Sequence, residues 1–463
     1  MEDKNIDKFE LLKRYIKGLI VGSEFENHVY LVGGCVRDEL MGLPTKDIDI
    51  CVDLPNGGIC FAEWITKRVG QYKEGSNPCV FPTYGTAMFS FMQFKGIQIE
   101  CVQTRKEQYH DRGSRNPETA FGTIKEDCLR RDLTINSLYK NISTGEYIDI
   151  TGNGLDDIKN HIIRTPCDPN VTYDDDALRM LRCIRFATRY GWNIDVDTWN
   201  GIKNNVKRIE IITQERITDE LNKILMTQKP SVGLIYLLES GLLSYVLPEL
   251  SKTVGMEQNK YHFGTVWEHT LSVVDNTQLK LENRVAALFH DIGKIETMTK
   301  DEKGNIHFYK HELASERLAD KILRRMKYPS DFIKRVKKAI VNHMRTKNYG
   351  NNCEKMKDKS LRKLQYDLGD CFDLTLDLIH ADNISHAEGY CLPNQVDIIK
   401  KKTDEMILNG TSCFVKKLPV NGFDIMKYKN IPNGEMVGKY LSIALKLWLA
   451  NPKITKEQCL KRI

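Results

Sequence analysis

Two aspartates two residues apart, Asp47 and Asp49, open the stretch Asp47-Ile48-Asp49-Ile50-Cys51-Val52. Side chains two apart on an extended strand point the same way, so both carboxylates project together while Ile48, Ile50 and Val52 face a core. Paired carboxylates suit a hard cation such as Mg²⁺, which is held by one or two carboxylates together with substrate phosphates. Upstream, Tyr30-Leu31-Val32 runs into Gly33-Gly34, where the missing Cβ lets backbone N–H groups come close to a triphosphate, and Arg37 adds a planar charge. Glu100, with Ile97, Ile99 and Cys101 facing the other way, is the candidate third carboxylate. A DxD pair alone is ordinarily solvated surface. Its spacing from the glycine pair is what points to nucleotide chemistry.

GGCVRD followed by DIDI resembles the signature of the nucleotidyltransferases that build the CCA end of tRNA, a family that includes bacterial poly(A) polymerases. The resemblance implies an α+β architecture: a polymerase β-like mixed sheet with helices at the N-terminus, then an all-α neck and body. It makes Asp47 and Asp49, with Glu100, the catalytic carboxylates. The RRDxTxN pattern is similar to a second family motif that contacts ribose and phosphates, which implies nucleotide contacts for Arg131, Asp132 and, more weakly, Asn136. Arg105, Glu107, Tyr109, Asp111, Arg112 and Pro117 match a family loop that helps the switch from adding C to adding A.

In TYDDDALRMLRCIRFATRYGW, Asp176, Arg179, Arg182 and Arg185 recur every third residue and trace one polar stripe, beside Met180, Ile184 and Ala187. Asp174 to Asp176 lie at an expected helix start, where acidic residues favour the dipole. An aspartate accepts from an exocyclic amine and an arginine donates to a ring nitrogen or carbonyl. C and A each show an amine beside an acceptor on the pairing edge, so an Asp and Arg pair accepts CTP and ATP and refuses UTP and GTP. The segment matches the EDxxRxxRxxRF motif of the class II branch, with Asp175 where the family has Glu. In the next family-like segment, Ile211 to Leu225, Glu215 and Arg216 read as structural braces.

The second half is marked by histidines: WEHTL (His269), HDIGK (His290, Asp291), His311, His343 and HAD (Asp382). Neighbouring His and Asp can reach one metal, and several N and O ligands suit an open site. This set resembles the HD phosphohydrolase superfamily. The implied ligands are His269, His290, Asp291 and Asp382 on a divalent transition metal, with His311 and His343 available to a second ion, in an all-α HD domain.

At 463 residues the chain predicts three or four domains: a head over 1–155, a helical neck and body for nucleotide selection and RNA binding over 156–258, an HD domain over 259–400 and a helical tail over 401–463. Thirteen scattered cysteines without a CxxC pair read as reduced and cytoplasmic, and no run is apolar enough to span a membrane. A net charge of +6 permits a polyanionic partner. Within the head, periodicity predicts a helix near 1–29, helices at Arg37–Met41 and Phe61–Val69, strands at Thr86–Phe94 and Ile97–Val102 joined by Lys95-Gly96, a helix over Glu126–Tyr139 and a strand over Gly145–Gly154. Basic clusters at Lys334-Arg335, Lys337-Lys338 and Lys400 to Lys402 are candidate tRNA contacts or solvated faces. The expected activity is template-independent addition of CCA to tRNA from CTP and ATP by two Mg²⁺ ions. A poly(A) polymerase or a CC-only or A-only enzyme is the alternative with the same chemistry, and an HD phosphohydrolase with an RNA-binding first half is the alternative of another class.

Overall fold

The structure, a computed structural model, describes residues 8–45, 47–69, 78–82, 85–108, 118–414 and 418–463. Its first sheet contains β1 (Val29–Val32), β2 (Ile48–Val52), β3 (Cys79–Phe81), β4 (Thr86–Phe89), β5 (Ile99–Gln103), β8 (Tyr139–Asn141) and β9 (Tyr147–Ile148). Their order across the sheet is β3-β4-β5-β2-β1-β8-β9. Strands β2 and β5 run parallel, with Asp49 opposite Glu100, whereas β1 is antiparallel to both β2 and β8. Apolar residues on one face, Ile48, Ile50, Val52, Ile99 and Cys101, pack with Leu12, Ile16 and Ile20 of α1 (Lys8–Ile20) and Phe61, Ala62 and Ile65 of α3 (Gly57–Val69). Strand alternation therefore leaves Asp49 and Glu100 on the face those helices do not cover. Between β1 and β2 runs the short helix α2 (Gly34–Leu40).

Glu39, on α2, ties three elements together. Its carboxylate accepts from Lys13 Nζ of α1 at 2.8 Å, Tyr147 OH of β9 at 2.6 Å and Lys140 Nζ of β8. Burial opposes the charge, but these donors win and hold the carboxyl at about 2.

A two-stranded ribbon, β6 (Arg105–Gln108) and β7 (Glu118–Phe121), leaves the sheet after β5. Tyr109, Asp111, Arg112 and Pro117 of the expected specificity loop lie outside the described residues. Helix α4 (Ile124–Leu129) starts on a Thr123 and Glu126 capping box and stops ten residues short of the expected Tyr139. Long-range pairing overrides the local periodicity here: Thr134 N donates to Arg164 O at 2.9 Å, and Tyr139 joins β8 opposite Val32. The strand and turn expected over Gly145–Gly154 are β9 and the turn that follows it at Ile150 and Thr151, whereas the expected strand to Phe94 ends at Phe89, where a 3₁₀ turn over Met92–Phe94 takes over.

After α5 (Gly154–Asn160), the short pair β10 (Ile162–Ile163) and β11 (Asn193–Ile194) brackets α6 (Pro169–Asp175) and α7 (Leu178–Tyr190). The expected start of the arginine helix at Asp174 is thus a break instead. Asp174 and Asp175 end α6, and Asp176 is extended (φ −148°, ψ 104°), with Oδ1 accepting from Leu178 N at 3.0 Å. Helices α8 (Val196–Asn205), α9 (Gln214–Leu225), α10 (Pro230–Ser240), α11 (Leu243–Val246) and α12 (Pro248–Ser251) follow.

The chain divides into two compact units, residues 1–224 with 235–245, and residues 225–234 with 246–463. The second is helical apart from the hairpin of β12 (Met298–Lys300) and β13 (Ile306–Phe308). Its centre is α13 (Val266–Asn276), α14 (Leu281–Phe289), α16 (His311–Arg325), α17 (Ser330–Asn342) and α19 (Phe372–Ile384), with the single turn α15 (Lys294–Thr297) ahead of β12. Helices α18 (Asp358–Leu368) and α20 (Gln395–Leu408) build a further core with α19. A last core joins α21 (Gly422–Lys429), α22 (Glu435–Ala450) and α23 (Lys456–Arg462) around Ile425, Val437 and Trp448. No helix among the described residues is long and apolar enough to cross a membrane.

The depressed Glu39 carboxyl contributes stability that is present above the unfolded value near 4.5 and lost as pH falls toward 2. Glu39→Gln is expected to cost about 1 kcal/mol at pH 7 after allowance for solvent screening. In urea melts the difference from wild type should shrink steadily below about pH 4.5.

Candidate functional site

The first site lies on the open face of the sheet. Register places Asp49 and Glu100 side by side on neighbouring strands, and Asp47 sits one residue ahead of β2, exposed. Gly33 adopts φ +67°, and a Cβ built there would lie 3.6 Å from Arg131 Nη1 and 3.9 Å from Asp49 Oδ2. The glycine thus brings backbone to the carboxylates, in a conformation an L side chain resists. Burial pushes the Asp49 carboxyl up to about 6, with the Glu100 charge adding to the rise and Arg131 opposing it. Two half-buried acids on adjacent strands favour a nearby positive charge, which is what a divalent cation supplies. The donor set of Asp47, Asp49 and Glu100 is all oxygen, and so fits a hard ion.

Around these acids runs a chain of charged contacts. Arg131 is held on Asp127 Oδ2 (Nη2 at 2.9 Å) and also reaches the Tyr139 hydroxyl at 3.2 Å. Arg37, expected to add a fixed planar charge for the triphosphate, is 5% exposed. It donates to Asp38 Oδ1 (Nε 2.9 Å, Nη2 2.7 Å) and Asn136 Oδ1 (Nη1 2.5 Å), with its guanidinium 5.2 Å from the Phe186 ring of α7. Asn136 Nδ2 donates onward to Asp132 Oδ1 at 3.0 Å, and Asp132 Oδ2 pairs with Arg182 of α7 at 2.6 Å. Burial opposes the Asp132 charge, but Arg182 and Asn136 keep its carboxyl below the usual range. Gly34 opens α2 immediately after Gly33.

On the neck, the arginine stripe finds its anions within the protein. Arg182 takes Asp132, Arg185 takes Glu220 of α9 at 3.2 Å, and Arg179 donates to Thr172 O at 3.1 Å with Asp175 Oδ2 3.7 Å away. Asp176 Oδ2 is fixed by Arg216 Nη2 at 2.8 Å, so Arg216 is the brace expected of it. Each Asp176 oxygen accepts one hydrogen bond here, which leaves a lone pair on each for a further donor.

The second cluster is buried in the second unit. His269 projects from α13, His290 and Asp291 follow α14, His311 opens α16, His343 follows α17, and Asp382 lies on α19. Gly293 allows this convergence, since a Cβ there would lie 2.3 Å from Ser315 N and 2.4 Å from His311 O. Four Nδ1 atoms face backbone carbonyls: His269 on Ser385 (3.2 Å), His290 on Ala287 (2.8 Å), His311 on Phe308 (2.9 Å) and His343 on Ile340 (2.7 Å). A carbonyl only accepts, so each Nδ1 carries a hydrogen and each ring turns its Nε2 inward. Burial pushes His269 and His343 down, the latter to about 3. Burial opposes the Asp291 and Asp382 charges, yet nearby cationic groups hold both carboxyls well below the usual range.

The inward nitrogens meet carboxylate oxygens and one another. His269 Nε2 lies 3.1 Å from Asp382 Oδ1, and His311 Nε2 lies 3.4 Å from His343 Nε2. His311 Nε2 is 3.2 Å from Asp291 Oδ1, and His290 Nε2, fully buried, makes no hydrogen bond although Asp291 Oδ2 is 3.2 Å away. Such a set calls for cations. The ligand atoms fall into two groups sharing Asp291, one with His269 and His290 and one with His311 and His343. Five of the six expected residues fall in these groups, and Asp382 joins them only through His269 at 3.1 Å.

Sequence reasoning passed over the lysines of this site. Lys294 Nζ is 2.6 Å from Asp291 Oδ2, and Lys347 Nζ is 2.7 Å from Asp382 Oδ2. Both line a cavity of about 470 Å³ together with His262, His386, Tyr261 and Tyr390. Lys294 was visible as the last residue of HDIGK, whereas Lys347 had no local signal.

A sheet carrying paired carboxylates beside a glycine turn and a helical unit with a His and Asp cluster define a nucleotidyltransferase head joined to an HD domain. Residues 29–164 match the poly A polymerase head domain, residues 191–253 the "Probable RNA and SrmB- binding site of polymerase A" and residues 266–374 the HD domain. The chain thus carries a poly A polymerase head domain and an HD domain, in the order the resemblance to class II nucleotidyltransferases implies. Domains of both kinds use divalent metal ions. The chain is 38% identical over 212 residues to tRNA nucleotidyltransferase cca1 of Schizosaccharomyces pombe, covering 43% of this chain and 41% of that protein. It is 35% identical over 217 residues to the CCA-adding enzyme of Limosilactobacillus reuteri, covering 47% and 50%. The chain thus spans half or less of the length of these curated relatives. In fold it is similar to the crystal structure of the Bacillus stearothermophilus CCA-adding enzyme in complex with CTP, with a TM-score of 0.66 at 21% identity over 94% of this chain and 91% of that one.

His290→Gln keeps the bulk of the ring but removes the inward Nε2, and is expected to weaken divalent metal binding at the HD cluster by about 10- to 100-fold. Calorimetric titration with Mn²⁺, Co²⁺ and Zn²⁺ in turn measures it. Unchanged affinity for all three would remove His290 from the ligand set.

Proposed function

We propose that the protein is a template-independent tRNA nucleotidyltransferase that adds CCA to tRNA from CTP and ATP, working in the cytoplasm, where its 13 free cysteines stay reduced. The observation that carries this reading is the Asp49 and Glu100 register beside Gly33. In the proposed division of labour the head (1–155) does the chemistry, the neck and body (156–258) select the nucleotide and bind RNA, the HD domain spans 259–400 and the tail 401–463.

Asp47, Asp49 and Glu100 would hold Mg²⁺. When bound, the two ions would make the tRNA 3′-hydroxyl a better nucleophile and neutralise the triphosphate as pyrophosphate leaves. Gly33 and Gly34 bring backbone close to the phosphates, and Arg131 faces the same carboxylates. Arg37 supports this pocket from below by fixing Asn136, which in turn orients Asp132. On the neck, Asp176 would accept from the exocyclic amine of C or A through its remaining lone pairs, with Arg216 fixing its orientation, and Arg179 would donate to the neighbouring acceptor. Arg182 and Arg185, paired with Asp132 and Glu220, set the height of α7 against this pocket.

The HD cluster supports a second reading for its own unit, that of a metal-dependent phosphohydrolase. Its inward nitrogens and two carboxylates suit a divalent transition metal, and Lys294 and Lys347 supply positive charge where a phosphoester would sit.

Asp49→Ala is expected to lower CTP incorporation by at least about 1,000-fold while tRNA affinity changes less than about twofold. Supplying each labelled nucleotide separately to tRNA lacking its end separates full CCA addition from CC-only, A-only and poly(A) addition. Asp291→Asn should leave incorporation intact and abolish any hydrolysis of phosphoesters. Incorporation that survives Asp49→Ala would sink the assignment.

A further inference from the structure

The RRD motif contains more chemistry than nucleotide contacts require, because its two arginines converge on one carboxylate four residues upstream or nearer. Asp127 has no exposed surface, and every donor around it belongs to the protein. Oδ2 accepts from Arg131 (Nη2 2.9 Å, Nε 3.2 Å) and from the Tyr139 hydroxyl. Oδ1 accepts from Arg130 (Nη2 2.5 Å, Nε 2.9 Å) and from the backbone N of Arg105 at 3.3 Å.

Arg105 is the first residue of β6, and its carbonyl accepts from Arg130 Nε at 3.2 Å. Asp127 and Arg130 therefore grip both backbone groups at the root of the ribbon. The root is also tied to the sheet, since Thr104 N donates to Val52 O of β2 at 3.1 Å and Gly122 N donates to Thr104 O at 3.2 Å. On its other side, Asp127 sets the direction of Arg131, whose Nη1 faces Gly33 and whose charge acts on Asp49. A guanidinium held by Nε and Nη2 on one carboxylate oxygen has little freedom to rotate, so Nη1 is aimed by that contact.

We infer that Asp127 is a positioning residue that couples the β6–β7 ribbon to Arg131, so that movement at the ribbon root changes the charge presented to the carboxylate pair. This rests on the nucleotidyltransferase reading above, but its linkage can be tested apart from it. The uncompensated alternative is a static brace, in which Asp127 stabilises α4 and nothing more.

The test compares Asp127→Asn, Arg131→Gln and the double variant of the full chain. Each single variant is expected to lower kcat/KM for CTP by at least about 10-fold, mostly through kcat. The double variant should lie within about twofold of Arg131→Gln, because both changes remove one linked interaction. Independent roles would instead multiply to about 100-fold, which overturns the coupling. Hydrogen exchange supplies the readout that a static brace would not move: in Asp127→Asn the amides of Arg105 to Gln108 and Glu118 to Phe121 should exchange at least about 10-fold faster, with Ile48 to Val52 and Ile99 to Gln103 unchanged. An equal rise in the central strands, or no rise in the ribbon, refutes the proposal. Should Asp127→Asn fail to fold, Tyr139→Phe removes only one donor from Oδ2 and is expected to lower kcat/KM about two- to fivefold with a smaller rise in ribbon exchange. No change in either would equally refute it. Wild-type protein inert toward tRNA would count against the nucleotidyltransferase reading, and ribbon exchange alone would then decide the linkage.

Discussion

Asp49 and Glu100 are placed side by side by a parallel strand pair whose other face is closed by α1 and α3. The register fixes both Cα positions, so the two acids start from adjacent points on the same face of the sheet. That constraint organises what surrounds them. Arg131 must stay close, Gly33 must lack a side chain, and Asp127 must hold Arg131 by its far edge. Burial first, and then the Glu100 charge, push the Asp49 carboxyl up to about 6.

The HD cluster follows the same logic with different atoms. Backbone carbonyls take the Nδ1 hydrogens of four histidines, so all four Nε2 atoms are turned inward. This is a consequence of where the helices stop. His290 and His343 stand immediately after α14 and α17, and His311 is the first residue of α16. Each unit thus gathers electron pairs at one place, and the nearest positive charge is Arg131, held on Asp127, in the first unit and Lys294 and Lys347, paired to Asp291 and Asp382, in the second.

Much of this could be read along the chain. The strand of Ile48 to Val52, the apolar stripe of α1, the position of α3 and the convergence of His269, His290, Asp291, His311 and His343 are all present in the structure. These are features with short-range causes: side-chain period, glycine pairs and motif spacing. The misjudged elements failed for long-range reasons. Glu126 to Tyr139 has a helical pattern, yet Tyr139 is more favourably placed in β8 beside β1, and Arg130 and Arg131 fold back onto Asp127. The Asp174 to Asp176 run looked like a helix start, but Asp176 is drawn out of helical geometry where it caps Leu178 and meets Arg216.

The sequence by itself determined the donor atoms: three acidic groups for a hard cation, four histidines and two aspartates for a second site, and a stripe of arginines on one helix. Tertiary structure decided which charge satisfies which. Arg37 turned out to be a buried link between Asp38, Asn136 and the Phe186 ring, and the neck arginines were matched to Asp132 and Glu220. Periodicity reports which side a residue faces, because that depends on the backbone a few residues away. It cannot report which distant charge arrives there, because that depends on how whole elements pack.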